Sequence, residues 1–216
     1  MAQPPTGVAL DDMRKAARGC RACELWEPAT QTVFGEGPET ARIVFVGEQP
    51  GDQEDRKGEP FVGPAGRLLD RALGDAGIDR RDAYVTNAVK HFRFQPTPKR
   101  RIHQTPGPEH VRACRPWLDA EFDLLKPEVV VCLGATAARA LISPSFRITK
   151  ERGQLMPWAP PGLQLTADDD EDAPHQLWML ATTHPSAVLR VPEADRATAY
   201  DGLVSDLKVV TGALAS

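Results

Sequence analysis

Four side chains in this chain have the types and spacing to hold a metal centre. "CRAC" (Cys20 to Cys23) sets two thiols within reach of one centre, a spacing shared by zinc sites, redox dithiols and iron–sulfur ligation. Cys114 lies in the helical pattern "EHVRACRPWL", and His91 directly follows the strand-like run "AYVTNAVK". The four converge if the N-terminal segment folds over the end of a sheet. Cys132 is different: it sits in "PEVVVCLG", a continuous apolar run where a thiol behaves as a small buried hydrophobe. A second reactive stretch is "KRRIHQT" (Lys99 to Thr105), three cations and a histidine flanked by "QPTP" and "PGP". Proline fixes φ and removes a backbone donor, so this stretch is expected to be an exposed loop in which neither helix nor strand persists.

Other polar residues stand just beyond apolar runs. "GEQPGD" has the glycines and proline of a tight turn whose backbone amides can approach a ligand closely. Neither GxxxxGK followed by Ser or Thr nor GxGxxG is present, which excludes an NTPase or dinucleotide reading of that turn. The amide of Asn87 can donate to one atom and accept from another along a heterocycle edge, although a strand-end asparagine also caps turns. Phe61 in "PFVG" offers either a stacking face or a core side chain, and "THPSAVLR" presents His184 and Ser186.

The elements that must position these residues are legible as alternation. Apolar runs recur at "ARIVFVG" (41–47), "AYVTNAVK" (83–90), "EVVVCLG" (128–134) and "LWMLATTH" (177–184). Helical patterns lie between them at "PAGRLLDRALGDAG", "PEHVRACRPWLDAEFDLL" and "ATAARALI". This predicts an α/β fold, a three-layer α/β/α sandwich around a central, mainly parallel four-stranded sheet, with ligands beyond the carboxyl ends of the strands. With 216 residues and 41% hydrophobic content, the expectation is one domain over residues 1–216, its segment 1–40 packed on through the candidate metal ligands. "APPGLQLTADDDEDAPHQ" reads as a solvated acidic loop. The formal charge of −4 lacks the overall basic balance that often accompanies nucleic-acid binding, so any such contact must use a local patch. No apolar run is long enough to span a bilayer, and the N-terminus lacks the apolar centre of a signal peptide; a cytoplasmic monomer with no membrane association is expected.

Several of these stretches together carry a resemblance. "VFGEGPETARIVFVGEQPGDQEDRKGEPFVGPAGRLLDRAL", "YVTNAVKHFRF", "KRRIH", "ACRPWL", "VVVCLGATAARAL" and "THPSAVLR" resemble the iron–sulfur branch of the uracil-DNA glycosylase superfamily, and within it the UdgX type. The resemblance implies a 4Fe-4S cluster held by Cys20, Cys23, Cys114 and His91, the last standing where family-4 glycosylases carry cysteine. Zinc is the alternative these four side chains would also satisfy. It further implies that Phe61 stacks on an everted uracil, Asn87 reads its edge, Gln49 and Asp52 line the pocket, Glu48 faces the sugar and His184 approaches a uracil carbonyl. Ser186 keeps its family position, while Ala187 replaces a frequent second serine.

In the UdgX type the loop histidine, here His103, attacks the anomeric carbon and leaves the protein joined to the abasic site, with Arg101, Lys99 and Arg100 on phosphates. Imidazole suits this role, being largely neutral near pH 7 from its reference pKa of about 6.5, and a poor leaving group once attached and deprotonated. Arg93 and Arg115 are further candidates for DNA contact. The implied partner is uracil-containing DNA, single-stranded, with free uracil as product. Two readings compete: a turnover glycosylase that uses water, and a non-catalytic iron–sulfur or zinc module that recognises uracil-containing DNA.

Overall fold

The computed structural model describes residues 3–159 and 177–214. Its centre is a five-stranded sheet in the order β2-β1-β5-β7-β6, in which β1 (Ile43–Gly47), β2 (Ala83–Asn87), β5 (Val129–Leu133) and β7 (Trp178–Thr182) run parallel. These are the four apolar runs. Each is buried along almost its whole length because helices cover both faces, as parallel sheets require. The fifth strand, β6 (Leu155–Pro157), pairs antiparallel with β7 at the sheet edge. It escaped the sequence reading because two half-buried residues and an exposed proline carry no strand-length apolar pattern.

Side chains alternate across the sheet and divide the core in two. Val44 and Val46 of β1 face a layer that holds Met13 of α1 (Leu10–Ala17), Trp117, Leu118 and Phe122 of α4 (Pro108–Leu125) and Ala138 of α5 (Ala135–Leu141). Ile43 and Phe45 face Leu69 and Leu73 of α3 (Pro64–Asp75) together with Leu203, Leu207 and Val210 of α8 (Glu193–Leu214). The outer edge of β2 is covered by residues 33–36: Glu36 exchanges two backbone hydrogen bonds with Val85, and Val33 N–H donates to Lys90 C=O. Among the described residues no helix is long and apolar enough to cross a membrane. The acidic loop expected at 159–176 lies outside the described residues, apart from Ala159.

The chain leaves β1 for β2 on one side and later returns past β1 to β5 on the other. The β1/β5 boundary is therefore a point where strand order reverses, and the loops after these two strands diverge to leave a crevice. Over that crevice lies a second, two-stranded sheet, a correction to the expected loop. β3 (Phe94–Pro96) and β4 (Arg101–His103) form an antiparallel hairpin, with Phe94 opposite His103 and Pro96 opposite Arg101. Proline is accommodated because the ribbon is all edge, and the turn is closed by Thr97 N–H donating to Arg100 C=O at 3.0 Å.

Candidate active site

The crevice is a cavity of about 850 Å³ lined by residues from the ends of the parallel strands and from the hairpin. Glu48 follows β1, Asn87 ends β2, Gly134 and Thr136 follow β5, His184 follows β7, and His103 and Thr105 descend from the hairpin. Phe61 and Ser186 complete the wall on the side of α3 and α7 (Pro185–Arg190).

Glu48 is held from two directions. Its Oε2 accepts from the Thr136 hydroxyl, and its Oε1 lies 3.2 Å from His103 Nε2. Burial works against ionisation, but these two hydrogen bonds, with the charges of His103 and His184, outweigh it and hold the carboxyl below its ordinary range. A fixed carboxylate thus stands at the strand-order reversal, in contact with the hairpin histidine. Thr136 was not singled out in the sequence, although it lies in the "GATAA" stretch that follows β5.

His184 caps the N-terminus of α7: its Nδ1 accepts from Ser186 N–H at 3.1 Å and from the Ser186 hydroxyl at 2.8 Å. With Nδ1 an acceptor, the neutral ring carries its proton on Nε2. Burial lowers its pKa to about 4, against the opposing pull of Glu48, so the ring is a neutral donor at physiological pH. Gly134 lets this ring approach β5; its φ is +90°, and a Cβ there would stand 3.0 Å from His184 Cβ. Phe61 lies roughly parallel to the same imidazole, ring centres 6.2 Å apart. Phe61 is itself in the left-handed region at φ +57°, where a non-glycine residue stores about 1–3 kcal/mol of strain that the surrounding fold must offset.

Asn87 is 3% exposed, and among the described residues its carboxamide makes no hydrogen bond. A buried amide facing a cavity with both donor and acceptor free can read a heterocycle edge. Gly47 makes room for it, since a Cβ at that position would lie 2.3 Å from Asn87 Oδ1 and 2.8 Å from Phe61 Cζ.

Hydrogen bonds engage three further residues named from the sequence. Gln49 lines the cavity, but its amide is spent on the base of the hairpin: Nε2 donates to the carbonyls of Arg93 and Gln104, both at 3.1 Å, and Oε1 accepts from Arg93 N–H at 3.0 Å. Asp52 is absent from the cavity wall; it accepts from Arg101 Nε at 2.5 Å and Arg56 Nε at 3.0 Å. Arg101 is turned inward rather than toward phosphate. Its NH1 donates to buried Asp55 at 2.6 Å and its NH2 to the Asp52 carbonyl, while the guanidinium lies over the rings of Phe92 and Phe94. The two carboxylates at the start of α2 (Asp52–Lys57) satisfy its fork, and Lys99 and Arg100 remain as the exposed cations of the hairpin. Arg115 likewise bonds Asp119 and the Ala140 carbonyl, and Arg93 the Thr105 carbonyl.

The cysteines gather on the α4 face of the sheet. Cys20 and Cys114 are buried, Cys23 is half-buried, and Cys114 feels the charge of both others. Burial pushes the Cys114 thiol up to about 12, against the opposing pull of the Lys90 charge and N–H. Lys90 N–H donates to Cys114 Sγ at 3.2 Å and Trp117 Nε1–H to Cys20 Sγ at 3.3 Å, donors of the kind that support thiolate ligands. His91 is also buried, and burial lowers its pKa to about 4. The Thr32 hydroxyl donates to the Ala17 carbonyl at 3.1 Å, so it accepts from His91 Nε2–H at 2.9 Å, and the ring's lone pair is on Nδ1. Among the described residues no three His, Cys, Asp or Glu side chains close tightly enough on one point to hold a single metal ion. Cys132 is fully buried in β5, as expected.

A buried ion pair between cysteines and cavity was not foreseen. Lys90 Nζ lies 2.5 Å from Glu121 Oε2 and donates to Thr86 Oγ1 and the Asn87 carbonyl, while Glu121 also accepts from Tyr84 OH. Its trace in the sequence is a lysine continuing a strand run and a glutamate beside Phe122 on the apolar face of α4.

The strand ends of this α/β/α sandwich thus meet in a cavity lined by the Asn87 carboxamide, the Phe61 ring and the Glu48–His103 contact. The chain belongs to the uracil DNA glycosylase superfamily, whose family model matches residues 34–208. It is 43% identical over 135 residues to the type-4 uracil-DNA glycosylase of Archaeoglobus fulgidus, an alignment covering 62% of this chain and 64% of that protein. It is 41% identical over 150 residues to the Thermotoga maritima type-4 enzyme (69% and 74%) and 32% identical over 189 residues to that of Sulfurisphaera tokodaii (85% and 77%).

Proposed function

We propose that this protein excises uracil from DNA and is left covalently attached, through His103, to the abasic site it creates, as in the UdgX type. The observation that carries this reading is the His103–Glu48 contact in the mouth of the cavity, 3.2 Å from Nε2 to Oε1. Eversion of the nucleotide costs a few kcal/mol, returned by stacking on Phe61 and by hydrogen bonds to the Asn87 amide. The glycosidic bond breaks with its electron pair going to the base, where the neutral His184 Nε2–H donates to the developing anion. Glu48 faces the cationic sugar, and the lone pair of the His103 ring closes on the anomeric carbon. The imidazolium so formed, beside the Glu48 carboxylate, releases its proton to solvent. A neutral imidazole bonded to carbon leaves poorly, so each molecule acts once.

Cys20, Cys23, Cys114 and His91 through Nδ1 would hold a 4Fe-4S cluster, whose iron would supply the charge that burial withholds from the thiols. What supports this is the donor set, three gathered sulfurs with N–H groups aimed at two of them and one oriented imidazole. The cluster is proposed as a brace that ties the N-terminal segment to the strand bearing Asn87. Iron and labile sulfide in anaerobically purified protein, lost together in Cys114→Ser, are expected; zinc without sulfide would refute the iron assignment.

Incubation with a single-stranded oligonucleotide carrying one uracil tests the main reading. The expected result is one equivalent of free uracil and an adduct that survives denaturation, with the intact mass of protein plus oligonucleotide less uracil. His103→Ser abolishes the adduct. Free uracil in molar excess over protein without an adduct would support the water-using enzyme instead, and release of none would support the non-catalytic module.

A further inference from the structure

The ion pair between Lys90 and Glu121 takes no part in the chemistry of excision, yet it stands between the cysteines and the cavity. Both side chains are almost wholly buried, at 1% and 0% exposure. Packing alone does not call for charge there, since taking two ions out of water is costly and apolar residues of the same volume commonly serve a core as well or better. The network is complete at its cationic end. An ammonium has three donors, and Lys90 Nζ places them on Glu121 Oε2 at 2.5 Å, Thr86 Oγ1 at 2.6 Å and the Asn87 carbonyl at 2.9 Å. Glu121 Oε1 in turn accepts from Tyr84 OH at 2.8 Å and from the Thr86 hydroxyl at 2.9 Å, so one carboxylate holds the α4 face of β2 at two positions.

Lys90 is gripped at its backbone as well. Its N–H donates to Cys114 Sγ at 3.2 Å, and Cys114 and Glu121 stand two turns apart along one face of α4. Its C=O accepts from Val33 N–H at 2.8 Å, while Ala88 N–H donates to the Gly47 carbonyl and Val89 N–H to the Glu48 carbonyl. Residues 87–90 therefore leave β2 along a fixed course, and the Lys90 ammonium holds the carbonyl of the first of them. The Asn87 carboxamide makes no hydrogen bond of its own among the described residues, so its direction comes from this backbone and from the space left at Gly47.

We propose that the Lys90–Glu121 pair positions the Asn87 carboxamide for the base, Lys90 being a positioning residue that never touches substrate. The inference rests on the reading of Asn87 as the base-recognising amide of a uracil-excising protein. Through Cys114 and Glu121 a single helix, α4, governs both the gathered cysteines and the geometry of base recognition. A charge-assisted network suits this task, because its bonds are directional and fully satisfied where apolar packing would let the segment slide.

The test measures binding to two single-stranded oligonucleotides. One carries 2′-fluoroarabino-uridine, whose fluorine disfavours a cationic sugar and so prevents excision; the other carries a tetrahydrofuran abasic spacer at the same position and offers no base to read. The first variant is Lys90→Met/Glu121→Gln, which removes both charges together, leaves no buried ion unpaired and keeps an acceptor for Tyr84 and Thr86, so its melting temperature should stay near that of wild type. Its Kd for the uracil oligonucleotide is expected to rise about tenfold, the scale of one misplaced hydrogen bond, while its Kd for the spacer oligonucleotide stays within about twofold of wild type. Glu121→Gln alone, the milder change, should lose about threefold on the uracil oligonucleotide and nothing on the spacer. Equal losses on both oligonucleotides, or none on either, in these variants would overturn the positioning role while leaving excision intact. If Asn87→Ala binds both oligonucleotides as wild type does, the base-reading role of Asn87 falls and this inference with it. A wild type that releases no uracil from an ordinary uracil-containing oligonucleotide overturns the excision reading itself.

Discussion

His103 Nε2 and Glu48 Oε1 lie 3.2 Å apart although 55 positions separate them in the chain, because the hairpin folds down over the strand-order reversal where Thr136 secures the other carboxylate oxygen. Glu48→Gln removes the charge while keeping shape and an acceptor for Thr136. Adduct formation is expected to fall about 100-fold or more, the usual scale for a positioned acid–base group. The fold should hold, as judged by its melting temperature. Because the Glu48 pKa is depressed, its contribution is present throughout the neutral range and is lost only as pH falls below the ordinary carboxylate range.

His184 predicts a stability change of defined sign. Burial lowers its folded pKa to about 4, whereas the unfolded ring titrates at its reference value near 6.5. As pH falls through that interval the unfolded chain takes up a proton that the folded protein refuses, so stability is full above pH 6.5 and declines below it. The total is about 3 kcal/mol, of which about 2 kcal/mol is lost by pH 5. Urea unfolding at pH 7 and pH 5 should show a smaller difference in His184→Asn than in wild type.

Gln49 is expected to act through the hairpin. Gln49→Ala frees the carbonyls of Arg93 and Gln104, and adduct formation should slow about tenfold or more as His103 loses its alignment. Gln49→Glu should be worse, since a carboxylate cannot donate to two carbonyls and sits in a buried site. Faster amide exchange across residues 93–104 in both variants would distinguish loosened support from a lost contact with the base.

Arg101→Lys tests the anchor. A single ammonium cannot span Asp52 and Asp55 with the geometry of a guanidinium fork, so adduct formation should drop while uracil-containing DNA still binds through Lys99 and Arg100. Arg101→Ala leaves the fully buried Asp55 with backbone N–H donation from Thr30, and a loss of about 3 kcal/mol in unfolding free energy is expected. Unchanged stability in that variant would show that the pair is not what holds the hairpin.

Gly47→Ala drives a methyl group toward Asn87 Oδ1 and Phe61 Cζ, so the Asn87 carboxamide must move. The single-turnover rate of uracil excision should fall about 100-fold, as expected if the Asn87 amide hydrogen-bonds the base. An activity near wild type would mean that Asn87 does not read the base.

What the amino-acid sequence determined by itself was everything that depends on local pattern. Four runs of β-branched and aliphatic residues became the parallel strands, "PEHVRACRPWLDAEFDLL" became α4 residue for residue, and the polar residues just past those runs became cavity walls. Burial on both faces leaves a continuous apolar signature, and a parallel sheet collects its loop residues at one end. Only the tertiary structure decided which polar groups are spent and which are free. Gln49, Asp52 and Arg101 have the chemistry of ligand-binding residues, yet each is engaged by a partner at least 44 residues away along the chain. Asn87 keeps its hydrogen-bonding capacity because Gly47 leaves it space and none of the described residues claims it. Hydrogen-bond satisfaction belongs to three-dimensional neighbourhoods, and a one-dimensional pattern records only what each side chain could offer.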